Sequence, residues 1–203
     1  MSERLFKNDI LFFQRLIKSN GLYTGKLDGI WGPKTEAAIS AFENQSTNIA
    51  ATYGTFDSRT EMNIYTLHLK AQKTARIFMN AMQTAGIGAK IISGTRTYLE
   101  QNELFRKGRY GNPPPIVTKA RGGSSNHNFG IAWDIGLFTQ SGGYITKAGP
   151  YNEASQIVMS GQIPGLEWGG HWTGFVDPPH YQLATGLTLI QVREKFEKGQ
   201  PYI

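Results

Sequence analysis

Two histidines and two aspartates draw the eye in a chain of 203 residues that has only four histidines. His127 lies in SNHNFGIAWD, a small, polar, glycine-flanked stretch, with Asp134 seven residues later beside a tryptophan. Asp177 and His180 stand three residues apart in EWGGHWTGFVDPPHYQL, near the other end of the chain. A buried strand needs none of these groups. Two imidazoles (His127, His180) and one carboxylate (Asp134) form the donor set of a catalytic zinc site, in which three protein ligands leave the fourth position for water. Read singly, such residues are more often solvated or hydrogen-bonded structural groups, and the two halves can meet only through folding.

The chain has no cysteine, so disulfides and thiolate ligands are excluded and any metal must be held by histidine and carboxylate. Lack of cysteine also fits synthesis in a reducing cytoplasm. A hydrophobic fraction of 39% with 12% aromatics implies a folded chain, long enough for one core or for a core plus a small module. The net charge of +6 favours an anionic partner without saying which, since nucleic acid, anionic lipid and bacterial cell-wall polymers would all be attracted. Lysine and arginine are scattered rather than gathered into a stripe, which argues against nucleic acid. MSERLFKNDILFFQ interrupts its apolar residues with Lys7, Asn8 and Asp9 and so lacks the core of a signal peptide. No stretch approaches membrane-spanning length, so a soluble protein without stable membrane insertion is expected; a monomer is the expected state.

These residues need elements to carry them. Phe6, Ile10, Phe13 and Ile17 recur at helical spacing, with a stop near Gly21. A second helix begins near Pro33 and carries Ala38, Ile39 and Phe42 on one face. Between the two, Gly25, Gly29 and Gly32 bend the backbone while Leu27, Ile30 and Trp31 are expected to plug the space between the helices. Residues 44–55, NQSTNIAATYGT, read as a short linker. One long helix follows, on a stripe of Ile64, Leu67, Ala71, Ala75, Phe78, Met82 and Ala85, with His68 on it as a structural residue and Gly86 as its stop. AKIIS reads as a strand, 98–107 as a helix, and the Gly/Pro-rich residues after it as an irregular loop of the kind that carries function. GIAWDIGLF reads as a strand, and His180 must arrive from a neighbouring one.

Two resemblances sharpen this reading. LFFQRLIKSNGLYTGKLDGIWGPKTEAAISAF resembles the peptidoglycan-binding module attached to many wall-degrading enzymes, matching at Asp28, Gly29, Trp31, Gly32, Thr35, Ala38 and Phe42. The pattern Ser125-x-His127-x-x-Gly130-x-Ala132-x-Asp134, followed by Glu167-Trp168-Gly169-Gly170 and Asp177-x-x-His180, resembles the zinc peptidases of bacterial cell walls. That family includes VanY-like D-Ala-D-Ala carboxypeptidases and phage L-alanyl-D-glutamate endopeptidases. SGTRT at 93–97, with Gln101, also follows its pattern. The resemblance implies an α+β architecture: a small N-terminal three-helix peptidoglycan-binding module at 1–48, then a zinc DD-peptidase-like, Hedgehog-type catalytic domain at 49–203 with a small antiparallel sheet flanked by helices.

By the same resemblance His127, Asp134 and His180 hold Zn2+ and Asp177 is the general base, with Glu167 the competitor beyond a Gly-Gly pair. Charge developing on the carbonyl oxygen of a cleaved amide needs a donor, and Arg96 is the candidate. Gln101, Ser125 and Trp168 are candidate substrate contacts, as are Asp28 and Trp31 in the small module. Trp172 could wall a cleft, and no role falls to His171. The expectation is a peptidoglycan hydrolase of the endolysin type, made in the cytoplasm without a signal peptide, released to the wall and lysing bacteria by cutting L-alanyl-D-glutamate bonds. The alternatives are a D-Ala-D-Ala carboxypeptidase and a non-catalytic wall-binding protein with a structural zinc.

Overall fold

The computed structural model describes residues 3–160 and 163–203, with side chains from residue 7 onward except that of residue 159. Among the described residues the helices are α1 (Glu3–Ser19), α2 (Pro33–Tyr53), α3 (Ser58–Tyr65), α4 (Leu69–Thr84), α5 (Tyr98–Arg106), α6 (Ala148–Met159) and α7 (Leu189–Glu197). The strands are β1 (Ala89–Ser93), β2 (Ala132–Phe138), β3 (Tyr144–Ile145), β4 (Leu166–Trp168) and β5 (His180–Leu183). This is the expected α+β architecture.

Two compact units emerge. The first gathers residues 1–44, 95–130 and 185–203. Its core is aromatic: Phe12 of α1 lies 5.4 Å from Phe196 of α7, and Phe129 lies 5.3 Å from the same ring. Phe12, Leu16 and Ile17 form the buried face of α1, whereas Phe13 of the expected stripe is 47% exposed; the side chain of Phe6 lies outside the described residues. Two adjacent phenylalanines sit about 100° apart on a helix, so only one can face the core. Gln14, fully buried, donates to Asp28, Ile30 O and Thr35, and its own oxygen accepts the N–H groups of Asp28 and Gly29. Gly29 has φ +69° and any Cβ there would meet the Lys7 backbone oxygen at 2.5 Å, so only glycine fits.

The second unit comprises residues 45–94 and 131–184. Its antiparallel sheet runs in the order β1-β2-β5-β4, with β3 paired to β2. Trp133, Ile135, Tyr181 and Leu183 lie at alternate positions of β2 and β5 and are buried. Phe78 of α4 lies 4.6 Å from Tyr181 and 6.0 Å from Trp133, so the helix packs against the sheet through these rings. Arg76 of α4, fully buried, grips Glu61 of α3 with two parallel bonds of 2.7 and 2.8 Å.

Two sequence expectations are corrected here. The residues expected as a linker are helical through Tyr53, since α2 continues on alanine and small polar side chains that a helix accepts readily. The expected single helix is two: it breaks after Tyr65, and His68 is the N-cap of α4, accepting from Lys70 N–H, rather than a residue on a continuous helix. The apolar stripe crosses the break because residues on both sides are buried, while Ala85 at its end is exposed.

Candidate metal and active site

Strand alternation creates the site. On β2 and β5 the odd-numbered residues are core, which leaves Asp134, His180 and Gln182 on the other face. Asp134 and His180 are register partners. Their side chains meet with His180 Nδ1 3.1 Å from Asp134 Oδ1. A bulge between Ile91 and Ser93 then brings Ser93 opposite Asp134. His127 is carried by a single 3-10 turn, Asn126–Phe129, closed by Gly130 in the left-handed conformation two residues before β2 begins.

One ligand atom from each of His127, Asp134 and His180 lies within 4.8 Å of the others. Both imidazoles are buried and the carboxylate is half-buried. Zinc bonds of roughly 2.0–2.2 Å place tetrahedral donors about 3.4 Å apart, close to the His180–Asp134 separation, so the donor set fits that ion. Burial opposes protonation of His180, yet the Asp134 carboxylate more than offsets it and the ring's pKa is raised, with Gln182 and Asp177 acting in the same sense. The same negative potential that favours a proton there favours a metal cation.

Arg96 lies beside this cluster. Its backbone N–H donates to His127 O, its carbonyl accepts from buried Asn128, and its Nη2 stands 3.4 Å from His127 Nε2. Gln101 is fully buried, accepts from Arg96 Nη1 and donates to Thr118 Oγ1 and Ala120 O, so its polar atoms hold the arginine and the following loop. Ser125 caps the 3-10 turn through its carbonyl, which accepts from Asn128 N–H, with no capping bond from its hydroxyl.

Asp177 opens the turn into β5, its carbonyl accepting from His180 N–H and its own N–H donating to Gly169 O. A Cβ on Gly169 would sit 2.7 Å from Asp177 O and 3.0 Å from His180 Cβ, so glycine is required for this approach. Trp168 is buried and its indole N–H donates to Pro178 O at 2.7 Å, making it a brace for that turn, with no indole donor left over for a ligand. Trp172 lies 4.8 Å from the His180 ring, and His171 is exposed against the edge of Trp168. Gln182 went unnoticed in the sequence: it joins His180 to Glu167, and the i, i+2 spacing from His180 on a strand was the signal that could have found it. In the N-terminal loop Asp28 accepts from Ile30 N–H and Gln14, which lowers its pKa. Ile30 and Trp31 do not plug the helices as expected; they are 63% and 52% exposed.

With this geometry in view, comparison with known proteins is informative. Residues 118–183 match the model of a D-alanyl-D-alanine carboxypeptidase family, and residues 7–61 match a putative peptidoglycan binding domain. The peptidoglycan L-alanyl-D-glutamate endopeptidase CwlK of Bacillus subtilis (strain 168) is 38% identical over 125 residues, 58% of this chain and 73% of that protein. The chain belongs to the M15 peptidase family. It is therefore a metallopeptidase by family, and His127, Asp134 and His180 form a possible metal site. The fold of this M15 chain is shared with the L-Ala D-Glu endopeptidase ChiX of Serratia marcescens, at TM-score 0.51 and 24% identity over 64% of this chain and 90% of that one. A vancomycin-resistance D,D-pentapeptidase, VanY, aligns at TM-score 0.42 and 16% identity over 67% of this chain and 81% of that one.

Proposed function

We propose that the protein is an L-alanyl-D-glutamate endopeptidase of peptidoglycan, with His127, Asp134 and His180 as zinc ligands, Asp177 as general base and residues 1–48 as a wall-binding module ahead of a catalytic domain at 49–203. The observation that carries this reading is the convergence of two imidazoles and one carboxylate beside the Asp177 turn, in a chain that aligns with CwlK. Zinc held by these three side chains would polarise the scissile carbonyl and lower the pKa of a water molecule toward neutrality.

Asp177 takes the proton of the attacking water and returns it to the departing amine nitrogen. Arg96, tethered through its backbone to the 3-10 turn and through its guanidinium to Gln101, offers N–H donors to the carbonyl oxygen as negative charge grows there, or to a stem-peptide carboxylate. Exposed Ile30 and Trp31 offer an apolar face to the wall, and the net charge of +6 supports approach to an anionic envelope. Tethering by such a module raises the local concentration of stem peptides. Release onto the wall as a phage-type endolysin accords with this design.

Mass spectrometry of digested, purified peptidoglycan tests the reading. New N-terminal D-glutamate is expected. Released D-alanine would instead establish the carboxypeptidase activity after which the matched family model is named. An intact substrate in the presence of bound zinc would mark a wall-binding protein with a structural metal.

A further inference from the structure

Glu167, the competing base in the sequence, has another use. Its register partner on β5 is Gln182, just as Asp134 is the partner of His180. Gln182 Nε2 lies 2.7 Å from Glu167 Oε2, Gln182 Oε1 lies 3.1 Å from His180 Nε2, and His180 Nδ1 lies 3.1 Å from Asp134 Oδ1. An ionised carboxylate only accepts, so the amide must turn its NH2 toward Glu167 and its carbonyl oxygen toward the imidazole. A carbonyl oxygen also only accepts. The proton of the neutral ring must then sit on Nε2, and Nδ1 keeps its lone pair.

We propose that Glu167 and Gln182 are positioning residues that fix His180 in the Nε2–H tautomer and so present Nδ1, paired with Asp134, to the metal. Were the amide reversed, its oxygen would face the Glu167 carboxylate at 2.7 Å, two acceptors in contact. Without Glu167 that clash is gone; the amide can turn to donate to Nε2, the proton moves to Nδ1, and His180 pairs with Asp134 as a hydrogen-bonded dyad in which Nδ1 no longer offers its lone pair to an ion. With Glu167 present, the lone pair of Nδ1 faces a carboxylate oxygen, a repulsion that a metal ion between them relieves. The inference rests on the metal site of the proposed function and adds to it a reason for the polarity of the amide.

The test uses the full chain labelled with 15N-histidine and loaded with zinc. Long-range 1H–15N spectra are expected to show His180 protonated at Nε2 and metal-bound at Nδ1. Competition with a chromophoric chelator at pH 7 is expected to show zinc binding weakened about 10–100-fold in Glu167→Ala and in Gln182→Leu, the usual effect of losing a partner behind a ligand. Glu167 is exposed, so its truncation leaves the core intact. The double exchange of Glu167→Gln with Gln182→Glu moves the donor to 167 and keeps an acceptor facing Nε2, and should recover most of the lost affinity. Zinc on Nε2 of His180, or single variants that bind zinc as the wild type does, overturns the relay alone. A wild type that binds no zinc overturns the relay and the metal site together, whereas zinc binding that depends on Gln182 without peptidoglycan cleavage leaves the relay standing and removes the function.

Discussion

Asp134 and His180 meet at 3.1 Å because they are register partners on β2 and β5, two strands 42 residues apart in sequence. Rigid pairing, rather than loop closure, sets the first two donors of the site. Removing the metal should therefore leave the sheet intact while withdrawing the ligand's contribution to stability. At free zinc near 1,000 times Kd, the loaded protein should be more stable than the chelator-treated one by about 4 kcal/mol. Urea unfolding followed by far-UV circular dichroism measures the difference, and peptidoglycan clearing should vanish with EDTA and return with zinc.

Base and ligand separate by mutation. Asp177→Ala removes a proton acceptor but no donor of the metal cluster, so zinc should remain bound while kcat falls by roughly 10²–10⁴-fold. His127→Ala should lose both. Metal analysis paired with turnover on purified peptidoglycan distinguishes the two, and full activity in the Asp177 variant would return the base role to Glu167.

The Gly169→Ala variant tests how closely the base must be held. The added methyl would meet backbone oxygen of Asp177 at 2.7 Å, and backbone cannot rotate aside as a flexible side chain can. The Asp177 turn should shift, and kcat should fall by about 10²-fold, the effect of roughly 1 Å of misplacement at a reacting group. Zinc affinity should suffer less, because His180 is also held by its strand pairing with Asp134. Parallel kcat and chelator-competition measurements check the split.

What the sequence revealed follows from the range of each signal. His127, Asp134 and His180 were legible because imidazole and carboxylate groups are costly in apolar surroundings without a purpose, and their motifs are local. The β1 and β2 strands were legible in AKIIS and GIAWDIGLF, whereas β5 was expected only as the neighbour that has to bring His180 to the site. Cross-strand partnership was not: nothing local says that residue 182 lies opposite Glu167, so Gln182 was missed and Glu167 was weighed only as a base. The burial of Gln101 was hidden because it depends on the residues 118–120 to which its amide donates. The break between α3 and α4 was hidden by an apolar stripe that continues across it, and the helical residues 45–53 by a small, polar composition that resembles a linker.

Asp57 gives a pH test remote from the metal. It caps α3, accepting from Thr60 N–H and from Thr60 Oγ1 at 2.7 Å, and that same hydroxyl accepts from Ile91 N–H of β1. Burial raises its pKa, but the Thr60 hydrogen bonds outweigh this and the value lies below the usual 3.8. A carboxyl with a depressed folded pKa stabilises the protein above the unfolded value, and that contribution disappears as pH falls through the folded one. Asp57→Ala should thus cost about 1 kcal/mol at neutral pH, the usual effect of a lost N-cap. The gap between variant and wild type should close as the pH drops below 3.8. Urea midpoints measured from pH 7 downward decide it: a gap that stays constant into acid would show that the cap does not act through its charge.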